Sequence, residues 1–295
     1  MAASAPRLQV RSIALVGKYQ SRSLRTPLTQ IAAFAAQRGL AVLVERNTAE
    51  SNGIDGLRHA SLEEISTQAD LAVVIGGDGT LLNVARGLVR SQIALVGINQ
   101  GRVGFLTDIA LASMLAALAD ILDGKYIEEQ RMLLQSRVER DGAVVEQACA
   151  FNDVVVSKGS TGRIIEFDVM IDAQPVYSQR SDGIVVATPT GSTAYALSAG
   201  GPILYPDLRA LVVVPICQHT MAIRPMVLGA QQAIEIELTN DSWSKARVVC
   251  DGQQSLPLEI GDRVLIRARE RPLRLIHPAG YDYFELLRTK LHWGG

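Results

Sequence analysis

The sequence contains few of the residues that build disulfide-rich or zinc-stabilised proteins. Its 295 residues include three cysteines and four histidines. An odd number of cysteines without a CxxC pair fits neither a disulfide framework nor a structural zinc site. We expect Cys149, Cys217 and Cys250 to be small buried hydrophobic residues. The histidines show no HExxH spacing, so we predict no metal site built from protein ligands alone.

Long apolar runs and an excess of charge of one sign are also missing. No stretch of about 18 apolar residues occurs, which argues against a membrane span, and residues 1–10 lack the apolar core of a signal peptide. The 29 basic and 30 acidic side chains give a net charge of -1, which attracts neither nucleic acid nor anionic lipid. We expect a cytoplasmic protein with no nucleic-acid or membrane partner, which binds a small molecule or another subunit.

What the sequence does contain is a change of hydrophobic pattern near residue 125. Before it, branched apolar runs alternate with amphipathic segments, which is typical of βα units around a parallel sheet. After it, residues 166–171 and 233–238 alternate apolar and polar side chains, and the pairs that begin at Asp141 and Asp251 predict hairpin turns. We predict a Rossmann-like α/β domain over 1–125, a β-rich domain of β-sandwich type over 126–275, and a helical tail over 276–295 that packs back on the N-terminal domain.

Local signals predict several element boundaries. Thr26 is expected to cap a helix that ends before Gly39. The polar, glycine-containing stretch 47–58 is predicted to be a loop. In the tail, Phe284, Leu287 and Leu291 are expected on the buried face of a short helix.

The segment LAVVIGGDGTLLNVA, residues 71–85, places glycines and one carboxylate at the end of an apolar strand. Three interpretations are open: a phosphate-binding loop, a tight turn without a chemical role, and a turn whose carboxylate is a metal ligand. Ligands of open α/β folds bind at the carboxyl ends of the strands. Exposed glycine amides before a helix, with Thr80 as its cap, favour a phosphate. The glycines are Gly76, Gly77 and Gly79.

The carboxylate of this segment distinguishes it from the familiar glycine loops. The segment lacks the lysine of the P-loop and the last glycine of the dinucleotide fingerprint. Asp78 would repel a phosphate unless it accepts a hydroxyl proton or holds Mg²⁺. A plain turn that is capped by Asp78 remains an equally good interpretation of this segment alone.

A second glycine-rich segment, SDGIVVATPTGSTAYALSAGGPIL at 181–204, is rich in hydroxyl groups. Such groups are costly to bury unless they are hydrogen-bonded, and phosphates or ribose hydroxyls would satisfy them. The alternative is a bend rich in Thr and Ser with no ligand. Together with the first segment, it favours a nucleotide site.

From about residue 70 to the end, the motifs resemble those of the NAD kinase family. In the family's order they are GGDGT (76–80), NQGRVGFLTD (99–108), FNDVVV (151–156), RSDGIVVATPTGSTAYALSAGGPI (180–203), PICQHTMAIRP (215–225), DGQ (251–253) and YFELLRTKLHW (283–293). GGDGT alone is shared with lipid kinases of the diacylglycerol type. The long segment around TPTGSTAY is specific to NAD kinases.

The resemblance implies that ATP and a divalent cation phosphorylate the 2′-hydroxyl of the adenosine ribose of NAD, giving NADP. Asp78 matches the family's proton acceptor. Because a carboxylate is a weak base for a ribose hydroxyl, we expect Asp78 to orient that hydroxyl and to collect its proton late. Mg²⁺ is expected to arrive with ATP, held by phosphate oxygens and water, with Asp78 as a further candidate ligand. Family members are homo-oligomers, which implies a tetramer or a dimer.

The resemblance also implies a set of nucleotide contacts. Asn152 and Asp153 match the pair that holds the nicotinamide-side ribose, although by themselves they indicate a turn. Arg180 would influence the choice between NAD and NADH, although with Asp182 it could form a plain surface ion pair. His219 is expected to be hydrogen-bonded in a turn and not catalytic. The predicted binding residues are Gly76, Gly77, Gly79, Thr80, Asn152, Asp153, Arg163, Arg180, Asp182, Thr193, Ala194, Tyr195, Ala196, Leu197, Ser198 and Gln253.

Two other functions are compatible with parts of this pattern. A lipid kinase of the diacylglycerol type would share GGDGT but would need an apolar acceptor groove and a basic or amphipathic surface. A dinucleotide sensor without catalysis would have no need for the carboxylate of Asp78 beside phosphates. The motifs as a set favour the NAD kinase.

Overall fold

The computed structural model describes residues 8–101, 104–159, 164–218, 223–240 and 245–293. The chain forms two compact units, of which the first comprises Met1–Gln130 and Leu273–Gly295 and the second Arg131–Pro272. Within the described ranges, no helix has the length and apolar character needed to cross a membrane.

Strands outnumber helices in the part of the chain that the structure describes. The strands are β1 (Ser12–Gly17), β2 (Ala41–Glu45), β3 (Arg58–Ala60), β4 (Leu71–Gly76), β5 (Ala94–Asn99), β6 (Ile109–Ala110), β7 (Tyr126–Arg131), β8 (Leu134–Arg140), β9 (Ala143–Ala150), β10 (Asp153–Ser157), β11 (Ile165–Ile171), β12 (Gln174–Ser181), β13 (Gly183–Ala187), β14 (Ala210–Ile216), β15 (Met226–Gly229), β16 (Ile234–Asn240), β17 (Arg247–Cys250), β18 (Gln254–Pro257), β19 (Arg263–Ala268) and β20 (Leu273–Pro278). The helices are α1 (Arg25–Gln37), α2 (Arg46–Asn52), α3 (Leu62–Gln68), α4 (Asp78–Gly87), α5 (Met114–Leu122), α6 (Tyr195–Ser198) and α7 (Tyr283–Leu291), with 3₁₀ turns at Leu111–Ser113 and Gly191–Thr193.

The first unit is built on one mainly parallel sheet with the strand order β3-β2-β1-β4-β5-β20-β7 and with β6 beside β5. The pairs from β3 through to β20 are parallel. All residues of β4 and β5 are buried, because a parallel sheet is covered on both faces. This double burial produces the continuous apolar runs from which the α/β domain was predicted, and the prediction is confirmed.

Helix α1 begins two residues earlier than the capping signal predicts. Its N-cap is Leu24 without a side-chain cap, so the assignment of Thr26 as the cap is wrong. The backbone N–H of Leu24 instead donates to Asn52 Oδ1 at 2.9 Å, a tertiary contact that replaces the local cap. Gly39 follows the helix with φ of 74°, which is the left-handed conformation common after a helix end.

The stretch that was predicted as a loop at 47–58 is helical in its first half. Helix α2 starts directly after Glu45, whose carboxylate accepts the N–H groups of Asn47 and Thr48 at 3.0 and 2.7 Å. It ends at Gly53 in the left-handed conformation. The prediction is wrong here because the cap is a glutamate, which is not among the common N-cap residues.

The tail helix α7 buries a different stripe from the predicted one. Asp282 caps it by accepting the N–H groups of Phe284 and Glu285. Tyr283 and Leu287, one turn apart, are its buried residues, whereas Phe284 is 56% exposed. The prediction is confirmed for Leu287 and wrong for Phe284, and Leu291 is half-buried, because the buried face is centred one residue earlier.

The second unit consists of two six-stranded sheets, with the orders β15-β14-β13-β10-β17-β18 and β12-β11-β16-β19-β8-β9. Their inner faces share one apolar core, as expected for a β-sandwich. Both predicted hairpin turns are present: Asp141 joins β8 to β9 and Asp251 joins β17 to β18, with φ of 51° and 50°. The antiparallel sandwich is therefore confirmed.

The three cysteines occupy different environments. Cys250 is buried in the sandwich core, Cys149 is half-buried, and Cys217 is exposed. The expectation of buried hydrophobic residues is confirmed for Cys250 and wrong for Cys217, which lies just after the end of β14.

Candidate functional site

Asp78 stands where β4 ends and α4 begins. Gly77 is the N-cap, and the helix has no side-chain cap, so neither Thr80 nor Asp78 caps it and both capping predictions are wrong. The side chain of Thr80 packs closely over Gly76 instead. Because the Asp78 carboxylate does not cap α4, it is free to accept hydrogen bonds from another segment of the chain.

That segment is the turn that precedes β6, and it surrounds the Asp78 carboxylate with donors. Phe105 N donates to Asp78 Oδ2 at 2.8 Å. Leu106 N and Thr107 N donate to Oδ1, each at 3.1 Å, and Thr107 Oγ1 donates to Oδ1 at 2.9 Å. Because each carboxylate oxygen has about two lone-pair sites, Oδ1 is saturated while Oδ2 keeps room for one more donor.

The hydroxyl of Thr107 is itself oriented by a hydrogen bond from Asn99. Asn99, the last residue of β5, donates through Nδ2 to Thr107 Oγ1 at 2.9 Å. Since that hydroxyl has one proton, accepting from Asn99 leaves the proton for Asp78. Thr107 is fully buried and Asn99 is 5% exposed, so this chain of hydrogen bonds is shielded from water.

The fit between the turn and Asp78 depends on a glycine. A Cβ atom on Gly104 would lie 1.9 Å from Asp78 Oδ1 and 2.6 Å from Thr107 Oγ1. Both distances are far below van der Waals contact, so no other residue fits here without displacing the carboxylate.

In the second unit, the turn of Asn152 and Asp153 is held by another carboxylate. Asp251 Oδ1 accepts the N–H groups of Phe151, Asn152 and Asp153 at 3.0, 2.7 and 3.3 Å. Asp251 lies in the tight turn between β17 and β18, so this hairpin fixes the position of the turn that contains Asn152 and Asp153. The pair was predicted from the family resemblance alone, and the structure adds the residue that supports it.

The second glycine-rich segment is attached to the same turn. Thr188 donates from N to Asn152 O at 2.9 Å and from Oγ1 to Phe151 O at 2.7 Å. A Cβ on Gly191 would lie 2.1 Å from Asn152 O, so the backbones touch only because residue 191 has no side chain. Two segments far apart in the sequence are thus joined in one place.

Two of the hydroxyl groups of this segment are already satisfied within it. Ser192 Oγ donates to Pro189 O and accepts from Leu204 N, at 2.6 and 2.9 Å. Thr193 Oγ1 donates to Thr190 O at 3.1 Å. For Ser192 and Thr193 the prediction that a phosphate or ribose satisfies the hydroxyl is therefore wrong, because these two hydroxyls build the bend itself.

A pocket of about 350 Å³ opens beside this turn. It is lined by Asn152, Asp153, Val155, Ser157, Ala194, Tyr195, Val249, Asp251 and Gly252. Asp153 is only 5% exposed, and this burial, with the negative charge of Asp251, raises the pKa of Asp153 to about 7. The pocket thus contains a carboxyl group that titrates near neutral pH.

The predicted run 193–198 forms the end of a 3₁₀ turn and the short helix α6. Tyr195 is 46% exposed, and Ser198 is exposed as well. Leu197 is half-buried. Ala196 is fully buried in an apolar cluster on the β13–β14 face, so its side chain is part of the core and only its backbone is left for a ligand.

Arg180 and Asp182 do not form the simple surface ion pair that was one interpretation. Arg180 Nε lies 3.9 Å from Glu166 Oε2 on the neighbouring strand, and Lys158 Nζ lies 2.8 Å from Asp182 Oδ1. The Arg180 side chain is 71% exposed, so its cationic group is open to solvent.

Of three further residues that the sequence analysis singled out, the structure describes one. Gln253 is exposed in the β17–β18 turn, next to the supporting Asp251. Arg163 and His219 lie outside the described residues. Within the described ranges, no group of three or more His, Cys, Asp and Glu side chains is arranged to hold a metal ion.

Sequence reasoning missed the residues that support the site. Gly104, Phe105 and Thr107 belong to the quoted motif NQGRVGFLTD but were given no role, and Asp251 was passed over beside Gln253. One signal could have found the first group. Since neighbouring parallel strands end at the same edge, the residues after β5 must lie near Asp78 after β4.

Comparison with known proteins places these features in a family. Residues 13–126 match the family described as the ATP-NAD kinase N-terminal domain, and residues 151–278 match the ATP-NAD kinase C-terminal domain. The chain belongs to the ATP-NAD kinase family. The NAD kinases of Thiobacillus denitrificans and Aromatoleum aromaticum are 48% and 51% identical to it, each over 96% of this chain and over 97% and 94% of their own lengths.

Solved structures from the family agree in fold. A yeast NADH kinase complexed with NADH superposes with a TM-score of 0.89 at 22% identity, over 99% of this chain and 93% of its own. An NAD kinase from Archaeoglobus fulgidus in complex with ATP gives a TM-score of 0.74 at 25% identity, over 96% of this chain and 100% of its own.

Proposed function

We propose that this protein transfers the terminal phosphoryl group of ATP to the 2′-hydroxyl of the adenosine ribose of NAD. The observation that carries the proposal is the Asp78 carboxylate, held by four donors in a family whose relatives are NAD kinases.

The proposed role of Asp78 follows from its remaining acceptor site. Oδ2 accepts a hydrogen bond from the ribose 2′-hydroxyl and thereby orients the hydroxyl oxygen toward the γ-phosphorus of ATP. The hydroxyl oxygen forms the new bond to the γ-phosphorus, the bond from that phosphorus to the β–γ bridging oxygen breaks, and ADP leaves. In a loose transition state the hydroxyl loses its proton late, and Oδ2 then takes it.

The divalent cation is proposed to enter as part of MgATP. Mg²⁺ retains water and binds phosphate oxygens together with few protein ligands. The four donors around Asp78 favour a second hydrogen bond to Oδ2 over a cation, because the positive ends of N–H and O–H dipoles repel positive charge.

Recognition of the dinucleotide is proposed for the second unit. Asn152 and Asp153 accept hydrogen bonds from the nicotinamide-side ribose, as acidic residues do in other dinucleotide folds. Tyr195 lines the same pocket and presents an exposed ring for a base or a sugar. We further propose a cytoplasmic homo-oligomer, a dimer or a tetramer, as in the family.

One assay tests the reaction against its rivals. The protein is incubated with MgATP and NAD, and NADP is measured with a dehydrogenase specific for it; a parallel reaction contains MgATP and diacylglycerol vesicles. We expect NADP and no phosphorylated lipid. Phosphorylated lipid would identify a lipid kinase, and NAD binding without product would identify a sensor.

The titration of Asp153 predicts a pH-dependent affinity for NAD. An ionised carboxylate accepts stronger hydrogen bonds from a ribose diol than a neutral one does. With the pKa of Asp153 at about 7, the KM for NAD should fall about tenfold from pH 6 to pH 8 while the KM for ATP changes little. Asp153→Asn should abolish this trend; an equal trend for both substrates would contradict the assignment.

The same residue predicts a gain of stability on substitution. Because the pKa of Asp153 is raised in the folded state, its stabilisation is complete below pH 3.8 and is lost as the pH rises through about 7. At pH 8, Asp153→Asn should therefore have a free energy of unfolding that is higher than that of the wild type by up to about 4 kcal/mol. It should also unfold at a higher temperature. The exposed Asp207→Asn is the control and should change nothing.

A further inference from the structure

A buried histidine in the first unit is held between two carboxylates. His277, in β20, is fully buried. Its Nδ1 lies 2.9 Å from Asp108 Oδ2, and its Nε2 lies 3.1 Å from Glu129 Oε2 on the neighbouring strand β7. Both carboxylate side chains are only 10% exposed. A ring with a carboxylate at each nitrogen donates to both only when it carries two protons.

Asp108 links this histidine to the Asp78 site, because it directly follows Thr107. Among the described residues, His277 is the hydrogen-bond partner of its side chain, and Asp108 Oδ1 is buried without any partner. A buried carboxylate with one partner depends heavily on that partner, since losing it leaves an uncompensated charge. The position of residue 108 therefore depends on the charge of His277.

We propose that His277, as an imidazolium, is a positioning residue: it clamps Asp108 and thereby fixes the turn of Phe105, Leu106 and Thr107 that orients the Asp78 carboxylate. The proposal rests on the proposed function of Asp78. Four donors within three consecutive residues meet one carboxylate, so a shift of the turn moves all of them together. A displacement of about 1 Å at a reacting group costs up to a hundredfold in rate.

The surroundings of the ring favour the charged form. Burial opposes it, but the hydrogen bonds and negative charges of Asp108 and Glu129 outweigh burial and raise the pKa of His277 above 6.5. Tyr281 stacks on the ring at 3.9 Å between centroids. Since the folded-state pKa is raised, the stabilisation is complete below pH 6.5 and is lost as the pH rises through the raised value.

The test combines nuclear magnetic resonance with kinetics on the full chain. In protein labelled with ¹⁵N-histidine, one of the four histidines should keep both ring nitrogens protonated at pH 7.5, and its signals should vanish in His277→Gln. That variant should lose roughly ten- to hundredfold in kcat, with the KM for NAD within twofold of wild type. His59→Gln, whose ring bonds Ile54 O at 2.8 Å, is the control and should keep wild-type kcat.

A second variant covers the case in which His277→Gln fails to fold. Asp108→Asn leaves the ring and its Glu129 partner in place and removes only the charge that ties the ring to the turn. We expect the same fall in kcat with unchanged KM, measured per folded molecule. A merely structural role would lower the unfolding temperature without changing kcat per folded molecule, which would overturn the proposal, as would a ring that is neutral at pH 7.5. If the wild type makes no NADP, the proposed function fails instead, and the resonance experiment still decides the state of the ring.

Discussion

Asp78→Asn should lose about 10²–10⁴-fold in kcat, the range typical of a removed general acid or base, while NAD still binds. The amide cannot take up the ribose proton. It also replaces one carboxylate oxygen by an NH₂ group, so either the Phe105 N–H or the Leu106 and Thr107 donors face another donor. The measurements are steady-state kinetics for the loss and calorimetric titration with NAD for the retained binding.

A matched control distinguishes chemistry from folding. Asp55 is an exposed aspartate of the same unit, and Asp55→Asn should behave as the wild type in every measurement. Wild-type turnover by Asp78→Asn would exclude the carboxylate from the reaction. A loss of NAD affinity as large as the loss of kcat would instead make Asp78 a binding residue.

The second large effect is expected from the smallest possible change, Gly104→Ala. The added Cβ would lie 1.9 Å from Asp78 Oδ1, so either the carboxylate rotates away or the turn moves. Both outcomes break the hydrogen bonds that orient Oδ2, and kcat should fall about a hundredfold with little change in the KM for NAD. Gly280→Ala is the control, because its Cβ would meet nothing within 4 Å.

A double-mutant cycle tests whether the two changes act on the same group. If Gly104→Ala acts through the Asp78 carboxylate, adding it to Asp78→Asn should cost little more than Asp78→Asn alone, since residues that act as a unit are not additive. Fully additive losses would show that Gly104→Ala damages something else, such as the packing around Thr107. Thermal unfolding of each variant checks that the fold is kept.

Those features that depend on burial or on a short local pattern could be predicted from the sequence. The runs that form β1, β4 and β5 are apolar because both faces of a parallel sheet are covered, and the alternation in β11 reflects one face in the sandwich core. The Asp–Gly pairs at 141 and 251 predict their turns because few residues adopt positive φ at low cost. These signals lie within a few residues of the structure that they specify.

Features that depend on distant partners could not be predicted in this way. Helix α1 begins after an N-cap residue, Leu24, whose N–H is satisfied by Asn52, 28 residues away, and no local pattern contains that information. The hydroxyl of Ser192 was predicted to bind a ligand, yet besides donating locally to Pro189 O it accepts from Leu204 N, 12 residues away. In both cases a tertiary hydrogen bond supplies what local reasoning had to assign elsewhere.

The sequence by itself determined the two kinds of sheet, the segment that contains Asp78 and the family to which the chain belongs, because residue types and their spacing carry that information. Only the tertiary structure decided which groups surround the reactive carboxylates. The residues that donate to Asp78, Phe105 to Thr107, lie 27 to 29 residues further along the chain. Asp251 and Asn152, which are hydrogen-bonded, are 99 residues apart. Such contacts arise from the order of strands in a sheet, which is a property of the folded chain and not of any single segment.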